Sequence, residues 1–484
     1  MYAKMKQLFS DSAAIGMALM GNKIVAMLLF LVFAHYLKDP QYADWDMTNT
    51  VAMIVTYLCV MGTDSAFAYY FYEAKDEQDR RGYFTAAVFM PFFISLLFLG
   101  VTWMIGSPAA TLLYKNADGY QHLLLLAMLT VVANVVIQQI LAYARFARQM
   151  KIFMVGTMAF VIGSNLISVG FVLQGKGVVG IFYGQAIAQT IVALLLLGYF
   201  RKHLTRHVTR THVMNLIRYG LPLLPTLLTF WVMNGVSRPM IYHLYSPEEA
   251  SIYGVAARFA SMIALLTASF QLAWRPFALS IKERGDAARI YSVIARGFLV
   301  VGTLLILLLT FIIHPLILIV KEDYGPGAYL VWMIAFGVIM NTMHLIVGVG
   351  LLIDKQTKAI SKTFLMAAVL FFIGNVVLVP WWGAWGTGVM TVASYLYVFF
   401  AIYRKGQRAY PVNFRFRSMG IYLIIYLTVM SVISWSQVNH LPGLWMEYLV
   451  ATFLLIASVF ASGLFHMDSI RFIRQRLPRL VFPR

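Results

Sequence analysis

"IFMVGTMAFVIGSNLISVGFVL", residues 152–173, runs for 22 residues without one charged side chain. At 1.5 Å of rise per helical residue that is about 33 Å, the depth of a bilayer's hydrocarbon core. In lipid each backbone polar group must be satisfied within its own segment, so such a run is read as a spanning helix. Runs of this kind recur near 12–37, 48–72, 83–106, 119–144, 152–173, 178–200, 213–245, 250–276, 291–319, 325–352, 360–380, 383–403, 416–435 and 442–466, fourteen in all. The opening "MYAKMKQLFS" precedes an apolar run too long for a signal peptide's core, with no small-residue cleavage site after it, so this run is read as the first span.

Composition agrees. Hydrophobic residues make up 61% of the 484 and charged residues 12%, with a mean hydropathy of +0.76; a soluble chain carries about twice that charged fraction. The expected fold class is an all-α polytopic membrane protein.

Lysine and arginine set the orientation. With the N-terminus inside, the connections and tail on that side carry 30 cations, including the cluster "RKHLTRHVTRTH" (201–212), Lys282 to Arg296, and the tail "RFIRQRLPRLVFPR" (471–484). The other side carries Lys38, Lys115, Lys176 and Lys321. Both termini are therefore expected in the cytoplasm. The net charge of +19 then reflects topology and contact with anionic membrane lipids, and gives no reason to expect nucleic acid as a partner. The single cysteine, Cys59, forms no disulfide within the chain, and no Cys/His cluster has metal-ligand spacing. No phosphate-binding loop appears, and no cofactor is expected.

The chain also repeats. "FAHYLKDPQYADW" (33–45) aligns with "MIYHLYSPEEASI" (240–252), pairing Leu37 with Leu244, Pro40 with Pro247 and Ala43 with Ala250. "GKGVVGIFYGQ" (175–185) aligns with "WGAWGTGVMTV" (382–392), pairing Gly177 with Gly383 and Gly180 with Gly386. An offset spanning six helices returns to the same membrane side, so the halves are expected as two six-helix lobes in parallel pseudo-twofold repeat around a central cavity. Residues 1–210 form the N-lobe with helices 1–6, 211–410 the C-lobe with helices 7–12, and 411–484 helices 13–14 with a basic cytoplasmic tail.

Four cations fall inside apolar runs: Lys23, Arg238, Arg258 and Arg275. A central charge costs roughly 2.5–3.5 kcal/mol to insert, so such residues usually face a watery cavity or a partner. Arg238 and Arg275 also lie close enough to the membrane surfaces to snorkel. The clear intramembrane acid is Asp64, read either as an ion-coupling group or as a salt-bridge partner for Lys23. The cationic excess suits an anionic cargo gripped by arginine forks and a lysine point charge. Pro222, Pro225 and Pro239 break the 213–245 run and give it places to bend.

"YGLPLLPTLLTFWV" (219–232), "SIYG" (251–254), "AWRPF" (273–277), "LVPWWGAWGTGVMTVASY" (378–395) and "VMGTDSAFAYYF" (60–71) together resemble the polysaccharide-transporter branch of the multidrug/oligosaccharidyl-lipid/polysaccharide (MOP) exporter superfamily. The resemblance covers essentially the whole chain. It implies a flippase, not an enzyme, that carries undecaprenyl-pyrophosphate-linked oligosaccharide across the bacterial cytoplasmic (inner) membrane for O-antigen, capsule or exopolysaccharide export. It also implies a polysaccharide polymerase and a chain-length regulator as partners. On that reading Lys23, Arg238, Arg258 and Arg275 bind the pyrophosphate, while Asn22, Asn234, Tyr70 and Trp231 are candidate sugar contacts. Relatives commonly carry Asp-Arg where this chain has Ser237-Arg238, so the acid of a local ion pair is missing and Arg238 is expected to be free to line an outer vestibule.

Two other readings compete. "DWD", Asp44 and Asp46, placed in the first outer loop, would suit a polytopic glycosyltransferase or polymerase acting on lipid-linked sugars. Short outer connections and the repeat counterpart "SPEEAS" argue instead for a structural turn. An ion-coupled multidrug exporter of the same superfamily would need carboxylates for cationic drugs, and the cationic excess opposes it.

Overall fold

The computed structural model describes residues 21, 25, 28–37, 39–114, 120–354, 356–439 and 443–464. Among these the chain is helical, with no strand. Two compact units divide it, Met1–Ser251 and Ile252–Arg484.

In the first unit α1 (28–36) leads into α2 (Asp39–Val60), α3 (Thr63–Glu73), α4 (Glu77–Leu113), α5 (Tyr120–Phe146), α6 (Met150–Leu173) and α7 (Gly177–Phe200). The expected 213–245 helix is resolved into α8 (Arg210–Gly220), a 3-10 turn (Leu221–Leu223), α9 (Leu224–Gly235) and α10 (Ser237–Leu244). The breaks fall at or just before Pro222, Pro225 and Pro239, where a proline removes a donor from the helical ladder. Helix α11 (Pro247–Ala260) crosses the unit boundary.

The second unit continues with α12 (Met262–Ser280), α13 (Ala287–Val320), a 3-10 stretch (Glu322–Leu330), α14 (Val331–Val347), α15 (Val349–Ile353), α16 (Thr357–Ala409), α17 (Phe416–Val438) and α18 (Leu444–Ala461). Ten helices among the described residues are long and apolar enough to cross a membrane, and shorter apolar helices accompany them. Each expected run from 48–72 onward falls on helix. Most of the 12–37 run lies outside the described residues.

One span, Lys358–Ala409, is 52 residues long, about twice what a bilayer needs. It turns back at Gly383, whose φ of 53° and ψ of −131° only glycine adopts without strain. Gly177, its counterpart in the sequence repeat, heads α7 with the same φ of 53°.

Lipid is as apolar as leucine, so helices in it associate by close packing and polar contacts rather than by expelling water. The exposed residues match a lipid-facing surface: Trp103, Met104, Leu112, Trp381 and Phe453 are all at least 70% exposed, which a water-soluble surface would not tolerate in such number. Inside the first unit α5 is the buried centre, packed by α4, α2 and α7. Its Tyr143 stacks on Phe84 of α4 at 4.1 Å between ring centroids. In the second unit α14 plays that part between α13 and α16.

Arg296 stands in α13 and is 3% exposed, where a connecting-segment cation was expected. Its Nε donates to the Ser292 carbonyl at 3.1 Å and a terminal nitrogen to the Leu464 carbonyl at 2.5 Å, while Arg415 donates to the Gly463 carbonyl at 2.9 Å. Two guanidinium groups thus satisfy carbonyls just past the C-terminus of α18, where the helix dipole favours positive charge.

Two helix breaks pack against each other in the first unit. Gly62, at φ +70° between α2 and α3, lies against Gly220, the last residue of α8. A Cβ on Gly220 would sit 2.5 Å from the Met61 carbonyl oxygen and 3.1 Å from the Thr63 nitrogen, both backbone atoms that cannot swing aside. Gly220→Ala is therefore expected to cost about 1–3 kcal/mol and to lower the thermal unfolding midpoint in detergent. Gly198→Ala, with nothing within 4 Å of its Cβ, should not lower it.

Candidate functional site

Asp44 and Asp46 sit inside a helix. Pro40 presets the backbone at the first turn of α2, so the chain turns helical at Asp39 and carries both aspartates as its sixth and eighth residues. They are 5% and 3% exposed, which corrects their placement in an outer loop. It also corrects the standing of Asp64 as the one clear acid of the apolar segments, because both lie in the span Gln41–Glu73.

The partner of Arg238 comes from here. Its Nε stands 2.5 Å from an Asp46 carboxylate oxygen, with the Arg238 side chain 22% exposed. Its charge is thus not free for an outer vestibule. The acid absent from position 237 is supplied from α2, about 190 residues earlier in the chain.

One turn further along α10, the Tyr242 hydroxyl donates to Asp44 Oδ1 at 2.7 Å. Tyr120 of α5 donates to Asp44 Oδ2. Thr48 donates to the Asp44 carbonyl and shares a 2.6 Å hydrogen bond with the Tyr114 hydroxyl. The pairs 238 with 46 and 242 with 44 run in opposite order, so α10 docks antiparallel on α2. Trp231 of α9 adds a third tie, its indole N–H donating to the Thr50 carbonyl at 3.3 Å.

A second feature lies among α2, α5, α6 and α7. They line an open cavity of about 420 Å³ whose lining includes six carboxamides: Asn49, Asn134, Gln138, Asn165, Gln185 and Gln189. Thr56, Thr130 and Ser164 add hydroxyls, and Tyr57 and Phe160 add rings. Among the described residues no charged side chain lines it. The helical repeat explains the convergence, since Thr130, Asn134 and Gln138 recur every four residues on α5 and Gln185 and Gln189 do so on α7.

Some of these groups are engaged. Gln138 donates to Asn134 Oδ1, and Asn165 donates to the Val161 carbonyl at 2.8 Å. Others are not: Gln189 Oε1 and Ser164 Oγ are buried without a hydrogen-bond partner among the described residues, with Gln189 6% and Ser164 5% exposed. Leaving such a group unpaired costs about 1–3 kcal/mol. None of the cavity residues was among the expected sites. The fourfold spacing of polar residues within the apolar runs 119–144 and 178–200 was the signal.

A third cluster is aromatic. Tyr70 of α3 stacks on Tyr83 of α4 at 4.9 Å and 9° between planes, and Tyr69 stacks on Tyr219 of α8 at 5.3 Å. Asn215 and His212 of α8 secure the platform, Asn215 by a 2.8 Å bond to the Tyr83 hydroxyl and His212 by an edge contact with Tyr83 and a 2.9 Å contact with Asp79. Tyr70 is half-buried in this cluster, while Tyr69 and Tyr219 remain exposed.

Of the remaining expected residues, Asp64, Asn234 and Arg258 are described with their side chains. Asp64 is exposed in the first turn of α3. Asn234 is exposed on α9, its amide bonded back to the Phe230 carbonyl at 2.8 Å. Arg258 is half-buried in the last turn of α11, where a cation suits the helix dipole. Arg275 belongs to α12, and its side chain lies outside the described residues, as do Lys23 and Asn22. Beside it Trp274 is buried, donating to the Leu345 carbonyl at 3.0 Å.

A family model described as polysaccharide biosynthesis protein matches residues 8–282. No curated protein matches the sequence. Among solved structures the fold is similar to the lipid II flippase MurJ in an inward closed conformation, at a TM-score of 0.70 and 14% identity over 95% of this chain and 98% of that one. It is also similar to an outward-facing multidrug resistance MATE family transporter of the MOP superfamily, at 0.52 and 15% over 82% and 95%. A variant of the Vibrio cholerae MATE transporter VcmN gives 0.56 and 14% over 85% and 98%. At such identities these likenesses establish the fold alone, that of a multi-pass membrane protein.

Breaking a fully buried ion pair by removing one partner costs about 3–5 kcal/mol, and the partial exposure of Arg238 puts this pair at the lower end. Asp46→Asn and Arg238→Gln should each lower the thermal midpoint in detergent, and the double variant should lose less than the sum of the two. Additive losses in that double-mutant cycle would show that the pair carries no coupling.

Proposed function

The chain belongs to the polysaccharide biosynthesis protein family, and on that premise we propose that it is a flippase. Its cargo is an undecaprenyl-pyrophosphate-linked oligosaccharide, carried across the cytoplasmic membrane by alternating access through a central cationic cavity, for export of a surface polysaccharide. Both termini face the cytoplasm. The observation that carries the reading is the fold's fuller agreement with a lipid-linked-sugar flippase than with the drug transporters, in coverage of this chain and in TM-score.

The charges support the same cargo. Lys23, Arg258 and Arg275 are the proposed pyrophosphate contacts. Arg238 takes part while paired with Asp46. Asp64 is the proposed coupling acid or partner of Lys23, and Asn22, Asn234, Tyr70 and Trp231 are proposed sugar contacts. The breaks at Met61–Gly62 and Leu221–Leu223 give α2–α3 and α8–α9 places to bend as access alternates.

The enzyme reading loses its support when Asp44 is bonded to two phenols and Asp46 to a guanidinium, since a metal or catalytic acid needs carboxylates open to substrate. The MATE likeness favours a multidrug exporter as the second reading. A drug exporter grips cations with carboxylates, and in the first unit Asp44 and Asp46 are committed to partners.

The test is transport. The purified protein in liposomes should translocate a pyrophosphate-linked oligosaccharide, and Lys23→Gln and Arg258→Gln should each reduce the rate at least tenfold, the loss of about 1.4 kcal/mol, with folding retained. Undiminished transport in both variants would contradict the cationic grip. Elongation of the glycan without transport would restore the enzyme reading.

A further inference from the structure

We propose that the amide-lined cavity among α2, α5, α6 and α7 is a subsite for an uncharged sugar residue of the cargo's headgroup. It deepens, and rests on, the flippase reading, but it places sugar recognition on residues separate from the cationic ones.

Among the described residues the lining holds no lysine or arginine, so these residues offer a phosphate nothing to offset its desolvation. Among them there is no carboxylate either, so they offer a cation or a cationic drug no countercharge. A lipid tail or apolar drug would leave six carboxamides and three hydroxyls facing hydrocarbon, each unpaired polar group opposing binding. Water alone would fill the space without explaining why four helices converge their amides on it.

What the lining does offer matches a pyranose. Each sugar hydroxyl both donates and accepts, and an acetamido group presents an N–H and a carbonyl together. A carboxamide presents the same pair. The bond from Gln138 to Asn134 Oδ1 leaves the Gln138 oxygen as acceptor and the Asn134 amide N–H as donor. Gln189 Oε1 and Ser164 Oγ, in residues more than nine-tenths buried and without a partner among the described residues, supply an acceptor and a hydroxyl. The rings of Tyr57 and Phe160 give apolar faces for the sugar's C–H edges. A volume of about 420 Å³ lies within the range of about 300–1,000 Å³ typical of small-molecule pockets.

Because Gln189 Oε1 and Ser164 Oγ have no hydrogen-bond partner among the described residues, changes at these two positions separate binding from folding. The full-length protein in detergent would be titrated with N,N′-diacetylchitobiose, maltose and inorganic pyrophosphate, with saturation-transfer NMR as the readout. Both disaccharides should bind saturably, the acetamido sugar more tightly. Gln189→Leu and Asn134→Leu should each weaken sugar binding about tenfold (about 1.4 kcal/mol), leaving the pyrophosphate response unchanged. Ser164→Ala, which removes only a hydroxyl, guards against a leucine variant that misfolds and should weaken binding in the same direction. The thermal midpoints of Gln189→Leu and Ser164→Ala should hold or rise, because each removes a buried polar atom with no partner among the described residues; Asn134→Leu also removes the acceptor of the Gln138 bond and is read on sugar binding alone.

Absence of saturable binding by either sugar overturns the proposal, as does binding indifferent to all three variants; the cavity then holds water only. A fall in thermal midpoint with sugar binding intact would assign the amides to structure instead. The flippase reading fails separately: a protein that binds the sugars but moves no lipid-linked cargo in liposomes keeps the subsite and loses the transport function.

Discussion

The pairing of α10 with α2 through Arg238–Asp46 and Tyr242–Asp44 is the constraint on which the first unit depends. The run from 210 to 244 is broken twice, so its outer pieces cannot be held straight by a continuous helical ladder. Two polar ties in opposite order fix both the register and the direction of α10, since a slip of one residue would part both at once. In an apolar setting such ties specify geometry more than they add stability, because the desolvation of each charge offsets much of the attraction. The aspartates are therefore structural acids, and the "DWD" motif belongs to the frame of the first unit.

Against that frame, the charges and the amides behave differently. Asp46 and Arg238 are ion-paired, Asp44 is bonded to two phenols, and Arg296 is bonded to backbone carbonyls, one of them near the end of α18. The amides of α5, α6 and α7 converge on a space instead, and some of them have no partner. Burying polar groups without partners destabilises a fold, and such sites persist where activity needs them. A cargo with an anionic linkage and a neutral glycan calls for both kinds of surface: cations for the pyrophosphate and neutral donor–acceptor groups for the sugar.

Much of this was legible in the residues. Apolar runs of about 20 residues marked the spans because a bilayer allows the backbone few alternatives. The pairing of Gly177 with Gly383 found two turns with the same positive φ, since that backbone state selects glycine by sterics alone. The proline breaks of the 213–245 run also appear where the sequence put them. The partner of Arg238 was not legible, because it comes from a helix far away in sequence and because Pro40 was taken to mark a turn when it starts α2. Arg296 looked like a connecting-segment cation because its neighbours are basic, and only the tertiary contact with Leu464 shows it buried. The cavity was half-visible: the fourfold spacing of Asn134 with Gln138 and of Gln185 with Gln189 is in the sequence, but their convergence across four helices is a property of packing.

The central claim is that this fold moves an anionic, glycan-bearing lipid and not a cationic drug. The most direct measurement sets wild-type protein in one liposome preparation before both cargoes, a fluorescent pyrophosphate-linked oligosaccharide lipid and a cationic dye. The account predicts protein-dependent translocation of the lipid-linked sugar, inhibited by excess unlabelled lipid, with no accumulation or efflux of the dye. Transport of the dye with the lipid left on its original leaflet would contradict it and assign the chain to the drug exporters.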